Sequence, residues 1–510
     1  MAERHTVAIV GTGFAGIAMG LRLLEAGRRD FVILERADGI GGTWRDNHYP
    51  GAACDVPSHL YSLASEPNPE WSRAYASQEE ILAYLERCVR QRGLTPHVRL
   101  RSGVAAAAYD EQAAHWRLTL DDGRTLLAQH LVAGCGGLSR PSVPGLPGLA
   151  RFRGATFHSA RWDHRVPLDG RRVAVVGTGA SAIQIVPALA PRVQSLAVYQ
   201  RTPPWILPKD DRAFTALERA VFRRAPAVQR LARALVYARL ERRALAFIGY
   251  PRLMALGERW ARAHLRRSVP DPALRAKLTP RYTMGCKRVL LSNDYYPAVS
   301  QPHVEVVTSP ITSVTEDGIA SEDGVRPFDA IVLATGFQAA EAGPPFPVRG
   351  RGGVSLEDTW RDGPEAYLGT TVHGFPNLYF IVGPNTGLGN NSMVFMIESQ
   401  VAYIHSALEY LERRGLAACE VQASAQASFN DELARRFPGT VWASGCSSWY
   451  QTRTGRNTTL WPGTTLEFRY RTRTFDAERY TFTVARSQPQ RGAASSPSVL
   501  ARKASSSASM

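Results

Sequence analysis

Two short apolar runs, each leading into a glycine-rich turn, constrain this chain more than any other feature. Val7-Ala8-Ile9-Val10 runs into Gly11-Thr12-Gly13-Phe14-Ala15-Gly16, and Val173-Ala174-Val175-Val176 runs into Gly177-Thr178-Gly179-Ala180-Ser181-Ala182. An apolar, β-branched run of this length fits a parallel strand buried on both faces. After the first turn a helical pattern continues through Leu24 and stops near Gly27, and the next strand, Phe31–Leu34, ends on Glu35. That strand–turn–helix–strand context makes G-x-G-x-x-G a dinucleotide site. Gly11 permits the tight turn, Gly13 lets the backbone approach a pyrophosphate, Gly16 lets helix and strand pack closely, and the helix N-terminus faces the phosphates. Glu35 and Arg201 each stand 24 positions after the first glycine of their own turn. A carboxylate there accepts hydrogen bonds from ribose hydroxyls and repels a 2′-phosphate, whereas an arginine pairs with one. The reading is FAD or NAD in the first site and NADPH in the second, with a surface arginine on a strand end as the plain alternative for Arg201.

At 510 residues the chain has room for two to four domains, and 44% apolar with 21% charged residues is an ordinary balance for packed cores. The net charge of +16 allows nucleic acid, an anionic surface or an acidic ligand as partner. Its arginines are scattered over about 210–285, which fits a solvated helical face better than a nucleic-acid patch. Six cysteines, with no C-x-x-C and no zinc-ligand spacing, point to reduced and mostly buried thiols and to no metal site. The first strand begins at Thr6 and leaves no room for a signal peptide, and no apolar run reaches membrane-spanning length. A cytoplasmic protein is expected.

Residues 77–92 read as an amphipathic helix and 104–132 as a β-meander turning at Asp121-Asp122-Gly123. Leu231, Leu235, Leu240 and Phe247 alternate with Arg230, Arg233, Arg239, Arg242 and Arg243. These helices read as a subdomain capping the site; an amphipathic face touching anionic lipid stays open as the alternative. The strand Phe328–Leu333 ends in Ala334-Thr335-Gly336-Phe337, and a helix runs from roughly Ser392 to Leu411.

Between the two turns lies Phe152-Arg153-Gly154-Ala155-Thr156-Phe157-His158-Ser159-Ala160-Arg161-Trp162-Asp163. The pattern F-x-G-x-x-x-H-x-x-x-W-[P/D], filled at every fixed position, resembles the fingerprint of the Baeyer–Villiger monooxygenases. Gly42-Thr43-Trp44, Tyr49-Pro50-Gly51…Cys54-Asp55-Val56, Lys287-Arg288…Tyr295-Tyr296 and Arg456–Gly463 resemble other segments of that family, so the likeness covers about residues 7–465. Gly134-Cys135-Gly136 departs from its more usual Ala-Thr-Gly.

The resemblance implies an α/β fold of two dinucleotide-binding (Rossmann-like) domains, with a helical insertion in the NADPH domain. Expected boundaries are 1–150 and 342–486 for FAD, 151–208 and 284–341 for NADPH, 209–283 for the insertion, and 487–510 for a disordered tail. It implies oxygenation of a ketone, aryl or cyclic, to an ester or lactone with NADPH and O2 through a C4a-peroxyflavin. Arg288 is the implied cation and Asp55 its partner. Gly11, Gly13, Phe14, Ala15, Gly16, Glu35, Arg36, Gly42, Thr43, Trp44, Asp55, Tyr61 and Asn385 are implied for FAD. Gly177, Thr178, Gly179, Ala180, Ser181, Arg201, Thr202, Lys287, Ala334, Thr335 and Gly336 are implied for NADPH. Phe152, Gly154, His158, Trp162 and Asp163 couple the domains on this reading. S- or N-oxygenation is the alternative chemistry, and a non-catalytic FAD/NADPH redox sensor a more distant one. A disulfide reductase is disfavoured by the missing C-x-x-C.

Overall fold

The computed structural model describes residues 2–338, 343–446 and 448–484. Two sheets organise them. The first has parallel Glu3–Val10, Phe31–Leu34 and Val98–Arg99 on one side of Thr125–Ala133, and the antiparallel meander Val104–Asp110, His115–Leu120 and Thr125–Ala133 on the other. Val348–Arg349 and Leu378–Phe380 pair into this same sheet from much later in the chain. The second sheet is wholly parallel, in the order Val304–Val307, Ser195–Tyr199, Arg172–Val176, Ala330–Leu333, Ala155–His158.

The apolar runs behave as two-faced strands. Val7, Ile9, Phe31 and Ile33 enter one core while Ala8, Val10, Val32 and Leu34 enter the opposite one. Val173 and Val175 likewise face one core of the second sheet and Ala174 the other. Alternate side chains of a strand point to opposite faces, so only a sheet covered on both sides uses such a run fully. The helix Phe14–Glu25 packs on the long helix Met393–Arg414, capped by Ser392 and ended by Gly415 at φ +62°. The helix Gln78–Gln91 is capped by Ser77, whose side chain accepts from the Glu80 N–H. The expected border at 341/342 and the tail 487–510 lie outside the described residues.

The insertion forms the helices Ala216–Arg224, Pro226–Ile248, Met254–Ser268 and Pro272–Lys277. Leu240 and Phe247 are buried, while Leu231 and Leu235 are exposed. Arg233 is not on a solvated face, as periodicity suggested. Its Nη1 donates to the carbonyls of His59 (2.9 Å) and Ser62 (2.7 Å), and its Nη2 reaches Glu398. No helix among the described residues is long and apolar enough to cross a membrane.

Two buried histidines make the fold acid-sensitive. Burial, with the Arg28 charge behind it, brings His130 down to about 3; burial and Arg233 bring His59 down to about 4. Unfolded, both titrate near 6.5, so below that pH the unfolded chain binds more protons than the folded one. Their contribution is fully present above pH ~6.5 and is lost as pH falls toward 4 and 3, on the order of several kcal/mol in all. A melting temperature measured against pH should fall through this window; a flat profile down to pH 4 would contradict it.

Candidate active site

Both glycine turns open into one cavity of about 1460 Å3. A single small-molecule site is commonly about 300–1,000 Å3, so this one has room for more than one ligand. At the first turn Gly11 has φ +103°, and a Cβ there would stand 2.7 Å from the Gly134 carbonyl oxygen. A Cβ on Gly42 would stand 3.0 Å from the Gly13 Cα, so two bare backbones form that wall. Gly134, at the departure from the family pattern, donates its N–H to Val10 at 2.9 Å and sustains this close packing.

Glu35 is buried at the strand end. Its Oε2 accepts from the Thr12 hydroxyl (2.6 Å) and N–H (3.1 Å), and its Oε1 from the Ala37 N–H (3.0 Å), with Arg45 3.2 Å away. Burial pushes its pKa up, but the Thr12 and Ala37 hydrogen bonds and the Arg45 charge together outweigh it and hold it low. The carboxylate is therefore ionised, as a ribose acceptor must be. Phe14, Ala15, Arg36, Thr43, Trp44, Asp55 and Tyr61 also line this part. The Tyr61 hydroxyl accepts from the Trp44 indole N–H at 3.1 Å.

At the second turn Gly177 has φ +117°, and a Cβ would stand 2.4 Å from the Ala334 carbonyl oxygen. Thr178, Gly179, Ala180, Ser181, Arg201, Thr202, Lys287, Ala334, Thr335 and Gly336 line this part. Among the described residues no carboxylate pairs with Arg201 or Lys287. Burial and then the Arg201 charge lower the Lys287 pKa. Two cations that repel one another without a counterion form a place for a phosphate.

Arg288 lies between the two halves. Its Nη2 (2.6 Å) and Nε (3.0 Å) both donate to one oxygen of Asp55, Oδ2. The Asp55 carboxylate raises the Arg288 pKa further above its ordinary value, against burial. The guanidinium is a permanent, oriented cation in the cavity wall. Buried Tyr450 feels that charge; burial pushes its hydroxyl up to about 12, with Arg288 opposing.

Several expected residues stand elsewhere. Gly16 does not line the cavity; a Cβ there would meet the Gly11 carbonyl oxygen at 1.9 Å, so it serves helix–strand packing. Asn385, expected at FAD, is not among the lining residues, though its neighbours Pro384 and Thr386 are. Its Nδ2 donates to the Asn457 and Leu460 carbonyls at 3.0 Å each, tying the Gly383-Pro384 turn to the late loop. Phe152, Gly154, His158, Trp162 and Asp163 lie outside the lining. Ala155–His158 is the edge strand of the second sheet, and Gly154 is fixed because a Cβ would stand 2.5 Å from the Asp329 carbonyl oxygen. His158 is buried behind Phe337, with Nδ1 accepting from the Ala160 N–H at 3.1 Å and the ring beside the Gly336 backbone. Burial lowers its pKa. Asp163 pairs with Arg165, whose hydrogen bonds hold it at about 2.

Of residues 209–283 Tyr282 alone lines the cavity. The insertion does not roof it directly but packs Phe247, Met254 and Ala261 behind the wall, against Met284, Trp442 and Tyr450. Cys286 and Cys446 are joined as a disulfide, contrary to the expectation of reduced thiols throughout. Neither lines the cavity, so the pair is not placed to take electrons from a cofactor inside it. Sequence reasoning also missed Thr12 and Arg45 around Glu35. It missed Gln184, whose amide accepts from Tyr49 (3.0 Å) and donates to the Ala53 carbonyl (2.9 Å), linking the second turn's helix to the Asp55 loop.

Comparison with known proteins decides the family. The chain is 51% identical over 94% of its length to a Baeyer–Villiger monooxygenase of Pseudomonas aeruginosa, covering 92% of that protein. A Baeyer–Villiger monooxygenase of Streptomyces coelicolor is 47% identical, with 94% and 92% covered. The chain belongs to the Baeyer–Villiger monooxygenases. Residues 8–217 of this monooxygenase also match the pyridine nucleotide-disulphide oxidoreductase family. Its fold is similar to NADP+-bound cyclohexanone monooxygenase from Rhodococcus sp. Phi1, with TM-score 0.86, 28% identity, and 95% and 100% of the two chains covered. A second solved structure, an OTEMO complex with FAD and NADP, gives TM-score 0.84 at 27% identity, with 92% and 97% covered. FAD and NADPH are the cofactors of this Baeyer–Villiger monooxygenase, and the ionised Glu35 at one turn and the unpaired cations at the other fit them.

Proposed function

We propose that this monooxygenase converts a ketone, aryl or cyclic, to an ester or lactone with NADPH and O2, with Arg288 stabilising the charge that develops on oxygen. When bound, the flavin and nicotinamide supply the electron transfer and oxygen activation. The chain's own residues hold, orient and neutralise. Glu35 accepts from the ribose of FAD, and Arg201 with Lys287 takes the 2′-phosphate of NADPH. Asp55 positions Arg288 through two hydrogen bonds to one oxygen, leaving Oδ1 free of that pairing. A fixed cation stabilises negative charge at no reorganisation cost in the reaction step.

The observation that carries this reading is the Arg288–Asp55 pair standing in the wall of a cavity that both glycine turns share. FAD-loaded protein should oxidise NADPH in air and add one oxygen to members of a panel of aryl, cyclic and long-chain ketones, with little peroxide. Oxygen gained only by sulfides or amines would move the chemistry to heteroatom oxygenation.

His158 is the proposed coupling residue between the second sheet and Gly336-Phe337. His158→Ala should retain FAD yet slow flavin reduction or raise the peroxide released per NADPH. Loss of FAD and of soluble protein in that variant would make the residue part of the fold alone.

A further inference from the structure

We propose that Cys286 and Cys446 form a reversible redox clasp that closes the Trp449-bearing loop against the Lys287–Arg288 wall. The disulfide crosses 160 residues of sequence and joins two segments that both serve the site. Cys286 precedes Lys287 directly and stands two positions before Arg288. Cys446 stands three positions before Trp449, which lines the cavity, and four before Tyr450, which faces Arg288. The Cα atoms are 6.2 Å apart, inside the range a disulfide spans without moving backbone.

Among the described residues the backbone of this loop bonds only locally. Among the described residues of 444–450, every backbone hydrogen bond stays within 441–451. Trp442 and Tyr450 pack into the apolar cluster behind the wall, and the Tyr450 hydroxyl faces Arg288. A covalent link there sets whether the segment stays closed.

The other cysteines do not compete. Burial pushes the Cys88 thiol up to about 11 and those of Cys135 and Cys419 to about 12, and raises Cys54 further. Such thiols carry little thiolate and react slowly. Cys446 is partly exposed and Cys286 is buried, so solvent reagents approach the pair from the Cys446 side.

Hydrogen peroxide, released whenever reduced flavin meets O2 without transferring oxygen to substrate, is the oxidant. The Cys446 thiolate attacks one peroxide oxygen, the O–O bond breaks, and the departing hydroxide takes a proton to leave as water. The Cys286 thiol then displaces a second water from the sulfenic acid and forms the S–S bond. Two thiols lose two electrons and two protons, and one peroxide gains them. A small dithiol reverses the reaction by exchange. The by-product of poor coupling thus makes the bond that closes the site. Part of this rests on the assignment of Lys287 to the NADPH phosphate.

The test uses the full-length, FAD-loaded protein, treated either with hydrogen peroxide or with dithiothreitol, alongside Cys446→Ser. Peptide mapping without reductant should find the Cys286 and Cys446 peptides joined after peroxide and separate after dithiothreitol. Trypsin should cut after exposed Arg453 several-fold faster in the reduced protein, and NADP+ should bind it several-fold more weakly. Cys446→Ser should match the reduced protein under both treatments. A cleavage difference without an affinity difference would still establish the clasp and shift the fault to the role given to Lys287. Unjoined peptides after peroxide, or equal cleavage in the joined and reduced forms, would overturn the proposal.

Discussion

Arg288→Ala should consume NADPH while losing about 100- to 1,000-fold in oxygenated product, the usual cost of removing one preorganised donor to developing negative charge. The loss belongs to the oxygenation half of the reaction, because the hydrogen bonds of Arg288 go to Asp55 and, among the described residues, to neither glycine turn. Arg288→Lys should not restore product. A lysine ammonium has no planar fork, so it cannot give two bonds to Asp55 Oδ2 and still present N–H groups elsewhere. Asp55→Ala should resemble Arg288→Ala more closely than it resembles wild type, since it frees the guanidinium from its orientation. Product yields are read by mass and peroxide by a parallel assay. Wild-type yield in Arg288→Ala would remove the residue from the mechanism.

Arg201→Ala should raise the KM for NADPH about 10- to 100-fold and leave that for NADH nearly unchanged. A charge-assisted hydrogen bond contributes about 1.5–3 kcal/mol, and each 1.4 kcal/mol is about tenfold. The direction follows from the two cations: among the described residues no carboxylate pairs with either, so their charge is available to the 2′-phosphate. Removing Lys287 as well should cost at least as much as the two single losses added together, since without Arg201 one of the two causes that lower the Lys287 pKa is gone and the lysine carries more of the remaining attraction. Equal effects on NADPH and NADH would place phosphate recognition elsewhere.

The sequence made the nucleotide architecture readable because it is written locally. An apolar run before a glycine turn specifies a strand buried on both sides, and the structure divides Val7, Ala8, Ile9 and Val10 between two cores. The acidic and basic slots at Glu35 and Arg201 were legible for the same reason, each being set by distance along one βαβ unit. What failed to show depends on distant chain segments. The tie between the Gly383-Pro384 turn and the late loop, made by the Asn385 amide to carbonyls about 75 residues later, has no local signature. Arg233 reads as one of many arginines on a helix, yet three backbone carbonyls near Ser62 accept from it. Cysteine spacing detects local pairs only, so a disulfide between Cys286 and Cys446 leaves no trace in the pattern.

The insertion shows a related limit. Its helical periodicity and its arginines were plain, but whether it roofs the cavity or stands behind it depends on which loop fills the space between. Trp442 and Tyr450 fill it, and the insertion packs on them.

Isotope labelling tests the central claim most directly. The FAD-loaded protein would be supplied with NADPH, a ketone and 18O2, and the product examined by mass. One labelled oxygen in the ester or lactone, with one NADPH consumed per product, is the result expected of a ketone-oxygenating site around Arg288. Labelled hydrogen peroxide with unchanged ketone across the whole panel would contradict it.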